Sequence, residues 1–147
     1  MDLSAEARRI VSENSYLTLA TADTAGTPWA NPVWFAAQGL EQFVWASKPG
    51  SRHSQNIAAR PSVGIVIFDS TVAPGQASAV YVEAEAAEVH GADWEAALAL
   101  YSGRSVAQGL PVWTAAELTG DARHRLYRAR ATRVYVLDDH DERVLID

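Results

Sequence analysis

Trp45-Ala46-Ser47-Lys48-Pro49-Gly50-Ser51-Arg52-His53-Ser54-Gln55-Asn56-Ile57 is the stretch in which a strand ends, a Pro-Gly turn follows and a helix begins. Ser51 is a favoured N-cap, because its hydroxyl can accept an orphan N–H of the first helical turn. The remaining free N–H groups and the positive end of the helix dipole favour an anion there. Arg52 and His53 add cationic or donor groups, and Ser47 and Ser54 add hydroxyls. Arginine is well shaped for bidentate contact with a phosphate. Taken alone, the same residues also suit an ordinary helix cap followed by a solvated arginine.

Upstream of this stretch the chain has the rhythm of an antiparallel meander. Tyr16 to Ala22 is rich in strand formers, and Asp23 to Gly26 supplies turn chemistry. A second strand is expected over 28–37, with Pro32 restricting it to an edge or bulge, where no ladder N–H is needed. Gln38-Gly39 makes the next turn, and a third strand is expected over 41–47. Before all of these, Leu3, Ala7, Ile10 and Val11 recur at helical spacing and predict an amphipathic helix ending near Asn14.

Downstream, the helix that opens at Ser51 should stop before Pro61. Ser62 to Asp69 is almost continuously apolar and predicts a strand buried on both faces. A loop around Pro74-Gly75 follows. In the strand over 79–89, Val80, Val82 and Ala84 lie on one face, with Tyr81, Glu83 and Glu85 on the wet one. Trp94, Ala97, Leu98 and Tyr101 mark a helix ending at Gly103, and 114–118 offers another helical turn. A long strand is expected over 126–137, with Arg143 to Ile146 as a short partner. The expectation is an α+β class: an antiparallel split β-barrel of about six to seven strands with two or three peripheral helices, in a single domain over 1–147.

Composition narrows the function classes. A net charge of −6 argues against a nucleic-acid surface, which would need a basic face. The chain contains no cysteine, which excludes disulfides, thiolate nucleophiles and cysteine-ligated zinc and suits the cytoplasm. No apolar run approaches the ~20 residues of a membrane span, and no secretory leader opens the sequence. His90, His124 and His140 show no metal-ligand spacing, and His140-Asp141-Glu142 reads as a polar turn. Neither a Gly-x-Ser-x-Gly elbow nor a phosphate-binding P-loop is present. The five tryptophans suit a core, a flat ring ligand or an interface.

Pro28, Asn31-Pro32-Val33-Trp34-Phe35, Gly39, Phe43-Val44-Trp45-Ala46-Ser47, Ser51-Arg52-His53, Asn56-Ile57 and Arg60-Pro61-Ser62-Val63, in this order and spacing, resemble the FMN-binding region of the pyridoxamine 5′-phosphate oxidase-like split-barrel superfamily. The resemblance covers roughly residues 10–90. It implies that Asn31, Pro32, Val33 and Trp34 line a flavin ring, and that Ala46 and Ser47 fall at the ribityl-phosphate end. Ser51 and Arg52 match phosphate ligands, while His53 stands where the family often has lysine. An imidazole supplies full charge only when protonated, so weaker or more pH-dependent FMN binding is expected. Ala79 stands where tight FMN binders often place a glutamine. The C-terminal Glu142 to Asp147 lacks the basic, tryptophan-containing segment of true pyridoxamine-phosphate oxidases, so vitamin B6 oxidation is not expected.

The resemblance implies an FMN-dependent oxidoreductase acting on a small organic molecule, as a homodimer with the cofactor at the subunit interface. A deazaflavin coenzyme is the alternative cofactor. A non-catalytic module holding flavin or haem, with His53 the nearest axial ligand, is the rival from another class, and a barrel working only through a protein partner is a third. Trp113 is either core or a cover for the ring from the partner chain. Arg128 and Arg130 share one strand face, either solvated beside Glu83 and Glu85 or facing a ligand. No catalytic acid or base stands out, which flavin chemistry tolerates because the cofactor carries the hydride.

Overall fold

Asp23 closes the first hairpin. Its carboxylate accepts from the backbone N–H groups of Ala25 and Thr27, both at 2.9 Å, while Gly26 takes a φ of +84° that a side chain would strain. The strands on either side, β1 (Tyr16–Ala22) and β2 (Pro28–Trp34), pair antiparallel. The computed structural model describes residues 2–146. An N-terminal helix, α1 (Leu3–Glu13), precedes the hairpin. It is capped by Asp2 and buries Ala7, Ile10 and Val11, on the stripe its periodicity predicts.

The expected second strand breaks at Phe35. After β2 the chain continues as β3 (Ala36–Gln38), which pairs with β4 (Gln42–Ser47) rather than with β1. Then come α2 (Arg52–Ala59), β5 (Ser62–Phe68), β6 (Ala79–Glu88), a 3₁₀ turn at Gly91–Asp93, α3 (Trp94–Ala107), the single turn α4 (Ala115–Leu118), β7 (Arg125–Leu137) and β8 (Arg143–Ile146). The strands form one curled antiparallel sheet in the order β2-β1-β5-β6-β7-β4-β3, with β8 on β7. Its first and last strands are consecutive in the chain, joined by Phe35 alone, which is 2% exposed. The sheet is therefore closed covalently at the split, and Pro32 sits on its outermost strand as its missing N–H requires. Among the described residues the strands number eight, because the expected second strand breaks at Phe35.

Leu17, Leu19, Phe43, Trp45, Ile65, Ile67, Val80, Val82 and Val136 fill the inside of the curl, with α1 packed into the same core. A second cluster lies outside, where α3 covers Val44, Ala36, Val89 and Leu126. This makes β4 the strand buried on both faces: Phe43, Val44 and Trp45 are each 0% exposed. The expectation for 62–69 is corrected accordingly. Val63, Ile65 and Ile67 are buried, but Gly64 and Val66 are half-buried and Phe68 is 45% exposed, because no such cover closes the outer face of β5.

α3 runs through Gly103 to Ala107, since Tyr101 and Ser105 bury on its inner face and outweigh the ~1 kcal/mol that a mid-helix glycine costs. A bulge between Glu83 and Ala84 shifts the β6–β7 register, and the Thr132 hydroxyl there donates to the Glu83 carbonyl at 2.9 Å. Among the described residues no helix is long and apolar enough to cross a membrane.

Candidate functional site

β4 delivers Ser47 to the mouth of the curl, and the turn Lys48–Gly50 sets α2 directly behind it. The turn closes through the Ser51 N–H to the Lys48 carbonyl at 3.0 Å. Ser51 has the extended backbone of an N-cap, and its hydroxyl accepts from the Ser54 N–H at 3.4 Å. Three hydroxyls and a ring nitrogen then converge. His53 Nε2 lies 2.7 Å from Ser47 Oγ and 3.4 Å from Ser51 Oγ, and Ser51 Oγ lies 2.8 Å from Ser54 Oγ. Ser47 and Ser54 are 6% and 2% exposed. Burial holds the His53 imidazole below its ordinary pKa, so its resting form at neutral pH is uncharged. Arg52, exposed, lays its guanidinium over the Trp29 ring at 4.3 Å and pairs with no carboxylate among the described residues. The result is a donor-rich helix N-terminus beside two cations, Arg52 and Lys48 of the preceding turn, that pair with no carboxylate among the described residues, the kind of groups that an oxyanion needs.

Two hydrogen bonds also hold α2 to the first hairpin. Asn56 Nδ2 donates to Thr21 Oγ1 at 3.0 Å, both residues buried, and Arg60 donates to the Thr24 carbonyl at 2.8 Å. Along β2, Pro32 is exposed, Asn31 and Trp34 are half-buried, and Val33 points into the core. Only the Val33 backbone is thus left to face a ligand. The Asn31 carbonyl oxygen Oδ1 is buried and without a hydrogen-bond partner among the described residues. Trp34 turns toward α3, where its Nε1–H donates to Gln108 Oε1 at 3.0 Å. Ala46 packs on the same side, in the α3 cluster, away from the hydroxyls that Ser47 joins.

Ser47, Ser51 and His53 are therefore brought together; Arg52 stands beside them against Trp29 of β2, the strand that further along carries Asn31 to Trp34. Trp29, the Asn56–Thr21 contact and the depth at which Ser54 sits are not legible in the sequence. The spacing Ser51-x-x-Ser54 is the one local signal that marks Ser54 as part of the cap.

Arg128, Arg130 and Asp138 are used structurally. Arg128 and Arg130 both reach Asp93, at 3.1 and 3.6 Å, and so brace β7 against the start of α3. Asp138 accepts from the N–H groups of His140 and Glu142 at 2.8 and 2.9 Å, which makes that segment the polar turn expected.

A sequence profile described as pyridoxamine 5′-phosphate oxidase matches residues 3–138. The chain belongs to the pyridoxamine 5′-phosphate oxidase family. Solved structures agree on the fold. A haem-binding protein from Mycobacterium smegmatis superposes with a TM-score of 0.79 at 23% identity, covering 99% of this chain and 58% of that one. This chain thus spans little more than half the length of that relative. HutZ, the haem storage protein of Vibrio cholerae, gives 0.72 at 24% identity, covering 92% and 95% of the two chains. A Clostridium acetobutylicum protein related to general stress protein 26, of the pyridoxinephosphate oxidase family, gives 0.70 at 12% identity and covers 99% and 94%. Among curated proteins none matches by sequence. Within this family, then, the convergence at the start of α2 is built by local sequence, on a barrel shared at low identity.

Proposed function

We propose that this chain binds a phosphorylated flavin-type cofactor, FMN first and a deazaflavin coenzyme second, and acts as an oxidoreductase on a small organic molecule other than pyridoxamine phosphate. The observation that carries this is the convergence of Ser47, Ser51 and His53 on the N-terminus of α2, with Arg52 free beside them. These residues would hold the phosphate. Asn31 to Trp34 would lie along the ring, with Val33 contributing backbone only. The orphaned Asn31 Oδ1 supports the ring assignment, because it is an acceptor that lacks a donor and both cofactors carry an imide N–H. Ala79 is buried at the start of β6, so no side chain at that position reaches toward the ring.

When bound, the flavin supplies the hydride chemistry. The chain's own part is to bind and orient it. His53, neutral before a phosphate arrives, donates or accepts one hydrogen bond, and Arg52 is the standing charge beside it. A homodimer with the cofactor between subunits belongs to the same reading; the exposed Phe68, Val106 and Val112 are surface that such a contact would cover.

A haem-holding module is the second reading, since two solved structures of this fold are of haem-binding and haem-storage proteins. His53 weighs against it, because its Nε2 is engaged by the Ser47 hydroxyl instead of being free for an iron. Titrating the purified protein with FMN, riboflavin, the deazaflavin coenzyme and haemin separates these readings. FMN is expected to bind at least about tenfold tighter than riboflavin, the worth of one charge-assisted phosphate contact. Equal affinity for the two flavins would remove the phosphate assignment. A shifted haem absorbance band with no flavin binding would put the haem module first.

A further inference from the structure

On the far side of Trp34 from the α2 mouth, α3 and the segment after it leave a cleft of about 370 Å³. Tyr16, Trp34, Tyr101, Leu110, Pro111 and Trp113 line it, and no charged side chain does among the described residues. Three of these rings form an ordered wall. Tyr101 meets Trp34 edge-on at 5.1 Å and 89°, and meets Trp113 at 5.4 Å and 65°. Such pairs fix ring orientation beyond what apolar burial alone would do.

The polar groups around the wall are already used to hold it. Trp34 Nε1–H donates to Gln108, whose Nε2 donates to Ser15 Oγ at 3.2 Å. The Trp113 N–H donates to Ser102 Oγ at 2.9 Å, and the Ser105 hydroxyl donates to the Pro111 carbonyl at 2.6 Å. Tyr101 is the exception. It is 5% exposed and lines the cleft, and its hydroxyl, which makes no hydrogen bond among the described residues, is not among the buried unpaired atoms and so opens on the cleft. Burial, with Tyr16 adding to it, pushes its pKa up to about 12, so the group stays a protonated donor. A phenol donor that opens on an otherwise apolar cleft is free to meet an acceptor that enters it and displaces water. The volume suits a small ligand, and the absence of lining charge selects an uncharged one.

We propose that this cleft is a binding subsite for a flat, uncharged aromatic molecule bearing a carbonyl-type acceptor, which stacks against Trp34 and Trp113 and accepts the Tyr101 hydroxyl hydrogen bond. Taking that molecule as the substrate rests on the flavin reading, through Trp34, which belongs both to β2 and to the cleft wall; its binding does not. Three probes test it on the purified full chain by calorimetry: naphthyl methyl ketone, naphthalene and naphthoate. The ketone binds, and naphthoate binds at least tenfold more weakly. Tyr101→Phe, which keeps the ring, weakens the ketone about fivefold, the worth of one neutral hydrogen bond, and leaves naphthalene unchanged. Trp113→Ala weakens both neutral probes.

Arg52→Ala separates the two readings, since it should reduce FMN affinity and leave the ketone's affinity intact. Three results overturn the subsite. One is naphthoate binding as well as the ketone. Another is Tyr101→Phe affecting the ketone and naphthalene alike, or neither. The third is no neutral probe binding the wild type; if Trp113→Ala then also dissociates a dimer, the cleft is a contact between copies.

Discussion

Removing the Thr21 hydroxyl, in Thr21→Val, tests what positions the candidate phosphate cradle. Asn56 Nδ2 donates to Thr21 Oγ1 at 3.0 Å, and each residue is 5% exposed, so water cannot replace the lost acceptor. Valine keeps the shape and the strand preference of threonine, which limits any cavity and leaves an unpaired amide as the main consequence. A buried donor left in this way costs about 1–3 kcal/mol. For a chain of this size that lowers the melting temperature by roughly 4–8 °C at the middle of the range. Urea unfolding of four proteins measures it: wild type, Thr21→Val, Asn56→Leu and the double variant. Because the double variant replaces both partners by apolar groups, it should recover about 1 kcal/mol or more relative to the sum of the singles. A Thr21→Val cost below about 0.5 kcal/mol, or strict additivity, would refute the reasoning. FMN affinity is expected to fall along with stability in the single variant, since the same bond seats α2 on β1.

Arg52→Ala should weaken FMN about tenfold or more by fluorescence quenching. Its melting temperature should stay within a few degrees of wild type, because the guanidinium's packing partner is the exposed Trp29 face, a contact worth about 0.5–1 kcal/mol. His53 sets a pH dependence. Its folded pKa lies below the ordinary 6.5, so the unfolded chain takes up a proton first. Its contribution is therefore full above about 6.5 and is lost as pH falls toward the folded pKa. His53→Gln should flatten that part of the unfolding free-energy profile, and an unchanged slope would show that another group is responsible. A bound phosphate pulls the other way, so FMN should be retained better at pH 6.5 than at 8.5; equal retention would count against His53 as a ligand. Phe35→Ala, at the buried residue joining β2 to β3, should cost about 3–5 kcal/mol in chemical denaturation, and a loss under about 1 would mean that the split does not depend on it.

Where the chain punctuates itself, the sequence was legible. Ser51 as a cap, Asp23 to Gly26 as a hairpin turn and Pro32 on an outer strand are local chemistry, and the structure has each in place. Partner exchange is not local. Nothing in Val33-Trp34-Phe35-Ala36 records that the strand leaves β1 and joins β4, because its apolar character is the same for both partners. The apolar run over 62–69 predicts the both-face burial that β4 has instead, for the same reason: such a run does not say which strand α3 will cover. In the candidate site, the residues contiguous with the turn were foreseeable. The Asn56–Thr21 bond, the orphaned Asn31 oxygen and the Trp34–Tyr101–Trp113 wall were not, since each depends on residues brought together by the sheet.

The covalent closure at Phe35 also has a consequence for synthesis on the ribosome. β4 finds β3 at once, but its other neighbour, β7, begins only at Arg125. Roughly 80 residues must be added in between, which takes about 4–16 s at ordinary elongation rates. Until β7 follows, Phe43, Val44 and Trp45 lie along a strand edge whose backbone groups have no partner on that side. Since β2 and β3 are already tethered, the nascent barrel can only wait open, so this edge is where a trigger-type chaperone would be needed and where slowed translation would favour aggregation.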